Sequence, residues 1–218
     1  MAASTSRGVT IQMVKTGATP TAITVTAVST ASPAVVTATN TLGPGDLIYF
    51  PPASTGFPEI DGKRFVVSAA TATEITLEGS STVGTTGAFA AGADTPKAYA
   101  KADMVTLCWS SLAFNPETTE TIAVGTFCDP SAQIASSVTG AGTLDFGGYV
   151  DIAAADYKAL VEAVDKKGAH EFVITLPSNG HIVFNGELAS LNVDVPLEGA
   201  ITYSGQITLM TKPVHQFA

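Results

Sequence analysis

Four runs near the end of the chain alternate apolar and polar residues with a period of two: His170 to Leu176, His181 to Gly186, Leu188 to Val195, and Ala200 to Met210. Successive side chains of a strand point to opposite faces, so this alternation predicts a sheet with one buried side. In register, Phe172, Ile174, Leu176, Ile182, Phe184, Leu191, Val193, Val195, Ile201, Tyr203, Ile207 and Leu209 share that side. The turn-prone PSNG at 177 to 180 joins the first two runs as a hairpin. The other face takes Glu171, Thr175, Asn185, Glu187, Ser190, Asn192, Asp194, Thr202, Ser204, Gln206 and Thr208. No Lys or Arg occurs between Gly168 and Thr211, whereas a solvent-facing sheet normally mixes both signs of charge.

Upstream, Asp151 to Lys167 has helical spacing, with Tyr157, Leu160, Val161 and Val164 forming an apolar stripe. Asp151 is expected to cap its start, Lys166 and Lys167 to complement the dipole in its last turn, and Gly168 to terminate it. Met104 to Ala113 reads as an apolar strand that runs into a long polar stretch, Asn115 to Gly142. If that stretch is an extended hairpin, Thr119 to Cys128 and Gln133 to Thr139 are its arms. A short strand is expected at Gly8 to Val14.

From Thr21 to about Ala100 the composition shifts toward Thr, Ala, Gly and Pro. Short β-branched segments recur there at Ala22 to Val28, Ala34 to Thr39, Asp46 to Phe50, Arg64 to Ala69 and Glu74 to Glu78. Strands at that spacing, separated by turns such as GPGD at 43 to 46 and IDGK at 60 to 63, predict a small all-β module. The expected organisation is one unit made of residues 1–20 and 101–218, with residues 21–100 inserted as a second. The expected class is mainly β with one packed α-helix.

Net charge −9 and a sequence pI near 4.6 argue against a protein that grips nucleic acid through phosphate contacts. Two cysteines, Cys108 and Cys128, follow a start, MAASTSRG, with no apolar run, so both thiols are expected reduced in a soluble protein made in a cytoplasm. None of His170, His181 and His215 stands at metal-ligand spacing, and nucleophile elbow, Walker loop and dinucleotide fingerprint are absent. The glycines of GTLDFGG at 142 to 148 form no phosphate cradle. No enzyme, cofactor or metal is expected. Trp109 is expected as a core or interface aromatic.

Residues 101–218 with the N-terminal strand resemble the tail tube proteins of siphophages, including the lambda-like major tail proteins. The resemblance is carried by the helix ending in KKG, then EFVITLPSNGHIVFNGELASLNVDVPLEG, then AITYSGQITLMTKP. Residues 28 to 89 resemble a small β-domain that recurs as an insertion in phage virion proteins and is similar to the first catalytic-cysteine half-domain of ubiquitin-activating enzymes. SPAVVTATN, LGPGDLIYF and EIDGKRFVVSAATATEITLEG carry it, although TLGPGD lacks the His of that family's HGL-type turn.

The resemblance implies a tail-tube β-barrel or sandwich, hexameric rings stacked into a tube, and a channel through which DNA passes without tight binding. It implies partners as well: further copies of the chain, a tape measure protein, a tail terminator and tail-tip proteins, all in the virion and without membrane insertion. Glu171, Glu187, Asp194 and Glu198 are then candidates for the channel wall, the stretch 115–142 for an arm reaching the next ring, and the inserted module for the outside. The competing readings are a surface-displayed tail-tip or adhesin-type protein, and the tube of a contractile tail or secretion system.

Overall fold

The computed structural model describes residues 8–217 apart from 53, 85–88, 91–94, 116–118, 127–128, 140–141 and 179, with backbone only in 119–126 and 129–139. Among these residues the chain is mainly β with one α-helix. The larger sheet runs, in spatial order, β10 (Trp109–Asn115), β13 (Thr143–Tyr149), β16 (Thr202–Leu209), β15 (His181–Asp194), β14 (Ala169–Thr175), β1 (Thr10–Val14) and β9 (Met104–Leu107). A last strand, β17 (Val214–Gln216), pairs with the start of β15. All neighbours are antiparallel.

Two observations show that this sheet curls on itself. Its edge strands β9 and β10 are separated by Cys108 alone, so the chain steps from one edge to the other in a single residue. Phe114 of β10 also lies edge-on to Phe184 of β15, 5.8 Å away, although two strands stand between them in the sheet. The result is an open barrel of two layers. One comprises β10, β13, β16 and the second half of β15; the other comprises the first half of β15 with β14, β1 and β9. Between them lies a core of Met13, Leu107, Leu144, Phe146, Phe172, Ile174, Phe184, Leu188, Tyr203 and Ile207.

The single strand expected over Met104 to Ala113 is therefore two, broken at Cys108. There the backbone N–H leaves the ladder and donates to Asp156 Oδ2 at 3.2 Å. The two runs expected at 181–186 and 188–195 are instead one strand, continuous through a bulge between Leu188 and Ser190. All of GTLDFGG but its first glycine, residues 143–148, lies in β13, the strand beside edge strand β10, where the glycines disguise a strand. Gly148 is required there, because a Cβ would stand 2.5 Å from the Tyr203 ring. Trp109 stacks on Phe146 at 4.4 Å, as a core aromatic.

The helix α1 (Ala155–Lys166) packs on β15 and β9 through Leu160 and Ala163. Burying Leu160 completely contributes roughly 2 kcal/mol. Asp151 does not cap this helix. Its carboxylate accepts from Ala153 N at 2.9 Å within the preceding turn, and the residue before the helix, Ala154, offers no side-chain bond. At the other end Lys167, with φ 44°, occupies the left-handed position expected of Gly168.

The smaller sheet runs β2 (Thr21–Ala22), β8 (Lys97–Tyr99), β5 (Leu47–Tyr49), β6 (Arg64–Ala70), β7 (Glu74–Leu77), β4 (Val35–Ala38) and β3 (Val25–Val28). It encloses a separate core that includes Val36, Phe50, Phe57, Ile60, Phe65, Ile75 and Leu77. Gly45 and Gly62 take the positive φ that GPGD and IDGK demand.

Tyr99, Leu47, Tyr49, Val66 and Arg64 share the outer face of β8, β5 and β6. Leu47 and Val66 pack with Val14, Met104, Val173 and Val183 of the larger sheet in a third apolar cluster. Beside it Arg64 pairs with Glu171, both buried, while the guanidinium also stands 4.3 Å over the Tyr49 ring. Gln216 of β17 extends β6 as a side-chain rung: Val66 N donates to its Oε1 at 3.2 Å, and its Nε2 donates to Arg64 O at 2.7 Å.

Two further strands, β11 (Thr119–Thr126) and β12 (Asp129–Thr139), pair antiparallel with each other and belong to neither sheet.

Candidate functional site

The sheet registers bring the polar residues into cross-strand rows on the outward side of the first layer. Asn115, Thr143, Thr208 and Glu187 form one row; Ala113, Asp145, Gln206 and Ser190 the next; Ser111, Gly147, Ser204 and Asn192 a third; and Tyr149, Thr202 and Asp194 the last. The four strands that carry this face contain no Lys or Arg. A shallow hollow of about 310 Å³ lies at its centre, bordered by Asp145, Ser190, Asn192, Ser204 and Gln206.

Asp145 is the most firmly held charge on the face. Gln206 Nε2 donates to one carboxylate oxygen at 2.8 Å, and Asn115 Nδ2 donates to the other at 2.7 Å. These two bonds, Gln206 first, hold the carboxyl below its usual range, so the face keeps this negative charge at any ordinary pH. Nothing in the alternation of the last third of the chain pointed to Asp145. The Asp inside GTLDFGG becomes legible only when 143–149 is recognised as a strand in register with 202–209.

Of the four acidic residues singled out by sequence, Asp194 lies exposed at the end of this face and Glu187 half-buried at its opposite margin. Glu198 is exposed in the turn beyond β15, off the sheet. Glu171 is elsewhere. It lies under the smaller sheet, buried against Arg64, where desolvation pushes its carboxyl up and Arg64 and Asn185 pull it back. A carboxylate covered by protein cannot form part of a water-filled wall, so Glu171 is removed from the candidate set.

Both flanks of the first layer are open. Among the described residues β10 has β13 on one side and no strand on the other, and β15 beyond Glu187 has only β16, because pairing with β14 stops at Ala169 opposite Glu187. With two strands between them and every neighbour antiparallel, the two open edges run in opposite directions. The residues at both edges, Ser110, Ser111, Ala113 and Asn115 on one side and Ala189, Asn192, Val193 and Asp194 on the other, are exposed.

The described residues contain no group of three or more His, Cys, Asp or Glu side chains able to hold a metal. Cys108 is free and exposed; Cys128 lies outside the described residues. Burial, the largest influence, pushes the Tyr203 hydroxyl up to about 12, so it serves as a neutral core group. No helix of the described chain is long and apolar enough to cross a membrane.

No protein-family model matches the sequence, and no curated protein matches it. Solved structures similar to the chain include the virion of a native gene transfer agent particle, at 12% identity and TM-score 0.41, covering 53% of this chain and 91% of that one. The tail of an empty gene transfer agent particle, refined helically with C6 symmetry, is similar at 12% identity and TM-score 0.39, covering 61% and 89%. The SPP1 tail tube, solved by solid-state NMR and cryo-EM, is similar at 12% identity and TM-score 0.35, covering 52% and 69%.

Proposed function

We propose that this chain is a structural subunit of a phage tail tube, built by edge-to-edge pairing of identical copies, with its cation-free sheet face lining a channel for DNA. The observation that carries this reading is the pair of open edges flanking that face. β10 of one copy and the second half of β15 of the next are antiparallel when the sheet is continued from copy to copy. Every open rung on one flank therefore finds a complementary rung on the other. A contact between two different patches of one surface is heterologous, and when its rotation closes it makes a ring. Six copies per ring is what the sequence resemblance implies.

The wall so formed carries Asp145, Asp194 and Glu187 and offers phosphate no cation. Carboxylates repel phosphates within the screening length of about 8 Å at physiological salt, while a few lysines per ring would bind DNA through counterion release. The smaller sheet packs on β14, β1 and the first half of β15, in the layer opposite this wall, which supports placing it outside the tube. The β11–β12 pair supports axial stacking. A lone two-stranded ribbon is marginal in water, and an adjacent ring would give it a partner.

Negative-stain microscopy of the purified protein across a concentration series tests the reading. Tubes of uniform width are the expected result, and solitary particles at every concentration would overturn it.

A further inference from the structure

The side chains on the core side of β15 do not stop where its sheet stops. Leu191 and Val193 are on the core side in the register of β15 with β16, and Val195 and Leu197, on either side of Pro196, extend the apolar spacing past the strand end toward the turn at Gly199. Exposure climbs along this row. Leu191 is half-buried, Val193 is 47% exposed, Val195 is 68% exposed and Leu197 is fully exposed. Its first two members belong to a core-facing register, and the apolar residues beyond them have no core of their own to enter.

On the other flank the barrel has the opposite fault. Between β10 and the facing layer a seam stands open, a groove of about 510 Å³ lined by Ile11, Leu107, Trp109, Leu112, Phe114 and Leu176, among others. Its wall and the row occupy the same cross-strand registers: Trp109 is in line with Gly148, Tyr203 and Val193, and Leu112 with Phe146, Gly205 and Leu191. Groove and row are therefore on the same side of one layer, at its two open ends.

We infer that the groove is filled by the row Leu191, Val193, Val195 and Leu197 of a second copy. This rests on the tube reading above and names the contact that would make its edge pairing stable. When one copy's β15 continues the sheet of the next at β10, same-side side chains remain on the same side, which brings the row over the groove. The area is sufficient. Seating Val193, Val195 and Leu197 removes on the order of 350 Å² from water, a large part of the ~800 Å² per partner that a stable interface buries, before the strand edges are counted.

The test replaces both protruding residues, Val195→Ser with Leu197→Ser. Each is exposed in the single copy, so the far-UV circular dichroism of the dilute protein is expected to be unchanged. Assembly is expected to need at least roughly tenfold more protein, from the transfer free energy of the two side chains. As a second measurement, Leu197→Cys in a Cys128→Ser background is expected, under mild oxidation, to form a disulfide between copies with Cys108, which lines the groove, and to lose it on Cys108→Ser. If the serine variant builds tubes at the wild-type concentration, or the cross-link ignores Cys108, another element fills the groove. The inference then falls while the tube reading stands. If the wild-type protein forms no tubes, both fall.

Discussion

Replacing Glu171 with leucine should be among the most costly single changes in the protein that create no cavity, and the reason is Arg64. The two side chains are 8% and 10% exposed where the smaller sheet rests on the larger. Removing one member of a buried pair leaves the other charge desolvated, at a cost of about 3–5 kcal/mol. Arg64 would keep its place over the Tyr49 ring at 4.3 Å and a long bond to Thr211 Oγ1 at 3.5 Å, which puts the expected loss near the lower end. For a chain of this length about 3 kcal/mol corresponds to a fall of roughly 6–12 °C in Tm.

Combining Glu171→Leu with Arg64→Met removes the stranded charge and should restore stability to within about 1 kcal/mol of wild type. Urea melts followed by circular dichroism and by Trp109 fluorescence on all four proteins close the double-mutant cycle. A single-mutant loss below about 1 kcal/mol, or a double mutant as unstable as the single, would refute the reasoning. The pH dependence gives a second reading of the same site. Because burial raises the Glu171 carboxyl above its unfolded value, its contribution is fully present below the ordinary carboxylate range and is lost as pH rises through the raised value. Glu171→Gln should remove that slope.

Gln216→Ala should strand Val66 N and Arg64 O, each at about 1–3 kcal/mol, and speed amide exchange at Val66 ahead of the larger sheet. Gly148→Ala drives a methyl against the buried Tyr203 ring and should cost about 1–3 kcal/mol, seen as a lowered Tm; an unchanged Tm would mean that the ring is free to shift. Asp145 has the opposite sign to Glu171: its lowered carboxyl contributes stability above the ordinary carboxylate range and loses it as pH falls through the lowered value, so Asp145→Asn should flatten the acid end of the stability curve. If the proposed tube reading holds, Glu187→Lys with Asp194→Lys should leave tails assembled but slow DNA ejection from them, and ejection at the wild-type rate would discard the wall assignment.

The larger sheet was legible because its signal is local. Phe172 faces Phe184 and Val193 faces Tyr203, as a period of two requires once the hairpin turn is placed. What the period cannot show is which polar residue of an alternating run meets water. Glu171 and Glu187 look alike in sequence, yet the partner that buries Glu171 lies 107 residues away in another sheet. β13 escaped for a different reason. Gly147 and Gly148 weaken any strand signal, and the need for them comes from the Ser111 and Tyr203 side chains above, which no local reading contains. β17, three residues long, pairs with the start of β15 and reaches β6 through a glutamine side chain acting as backbone, a role that no local reading contains.

The bulge in β15 connects these features. Before it, the outward residues are odd-numbered: Val183, covered by the smaller sheet, then Asn185 and Glu187. After it they are even-numbered: Ser190, Asn192 and Asp194. An uninterrupted strand would instead have turned Leu191 and Val193 to the polar face and sent Asn192 and Asp194 into the core, since one residue of register exchanges the two sides. The extra residue, Ala189, shifts the parity as the strand passes from one layer to the other. It thereby lets a single strand carry the smaller sheet on its first half and the cation-free face on its second. The two tasks fall on opposite sides of the barrel because the strand bends where the parity changes. That separation is what would allow a subunit to hold a bulky insertion on one side while continuing an unobstructed sheet on the other.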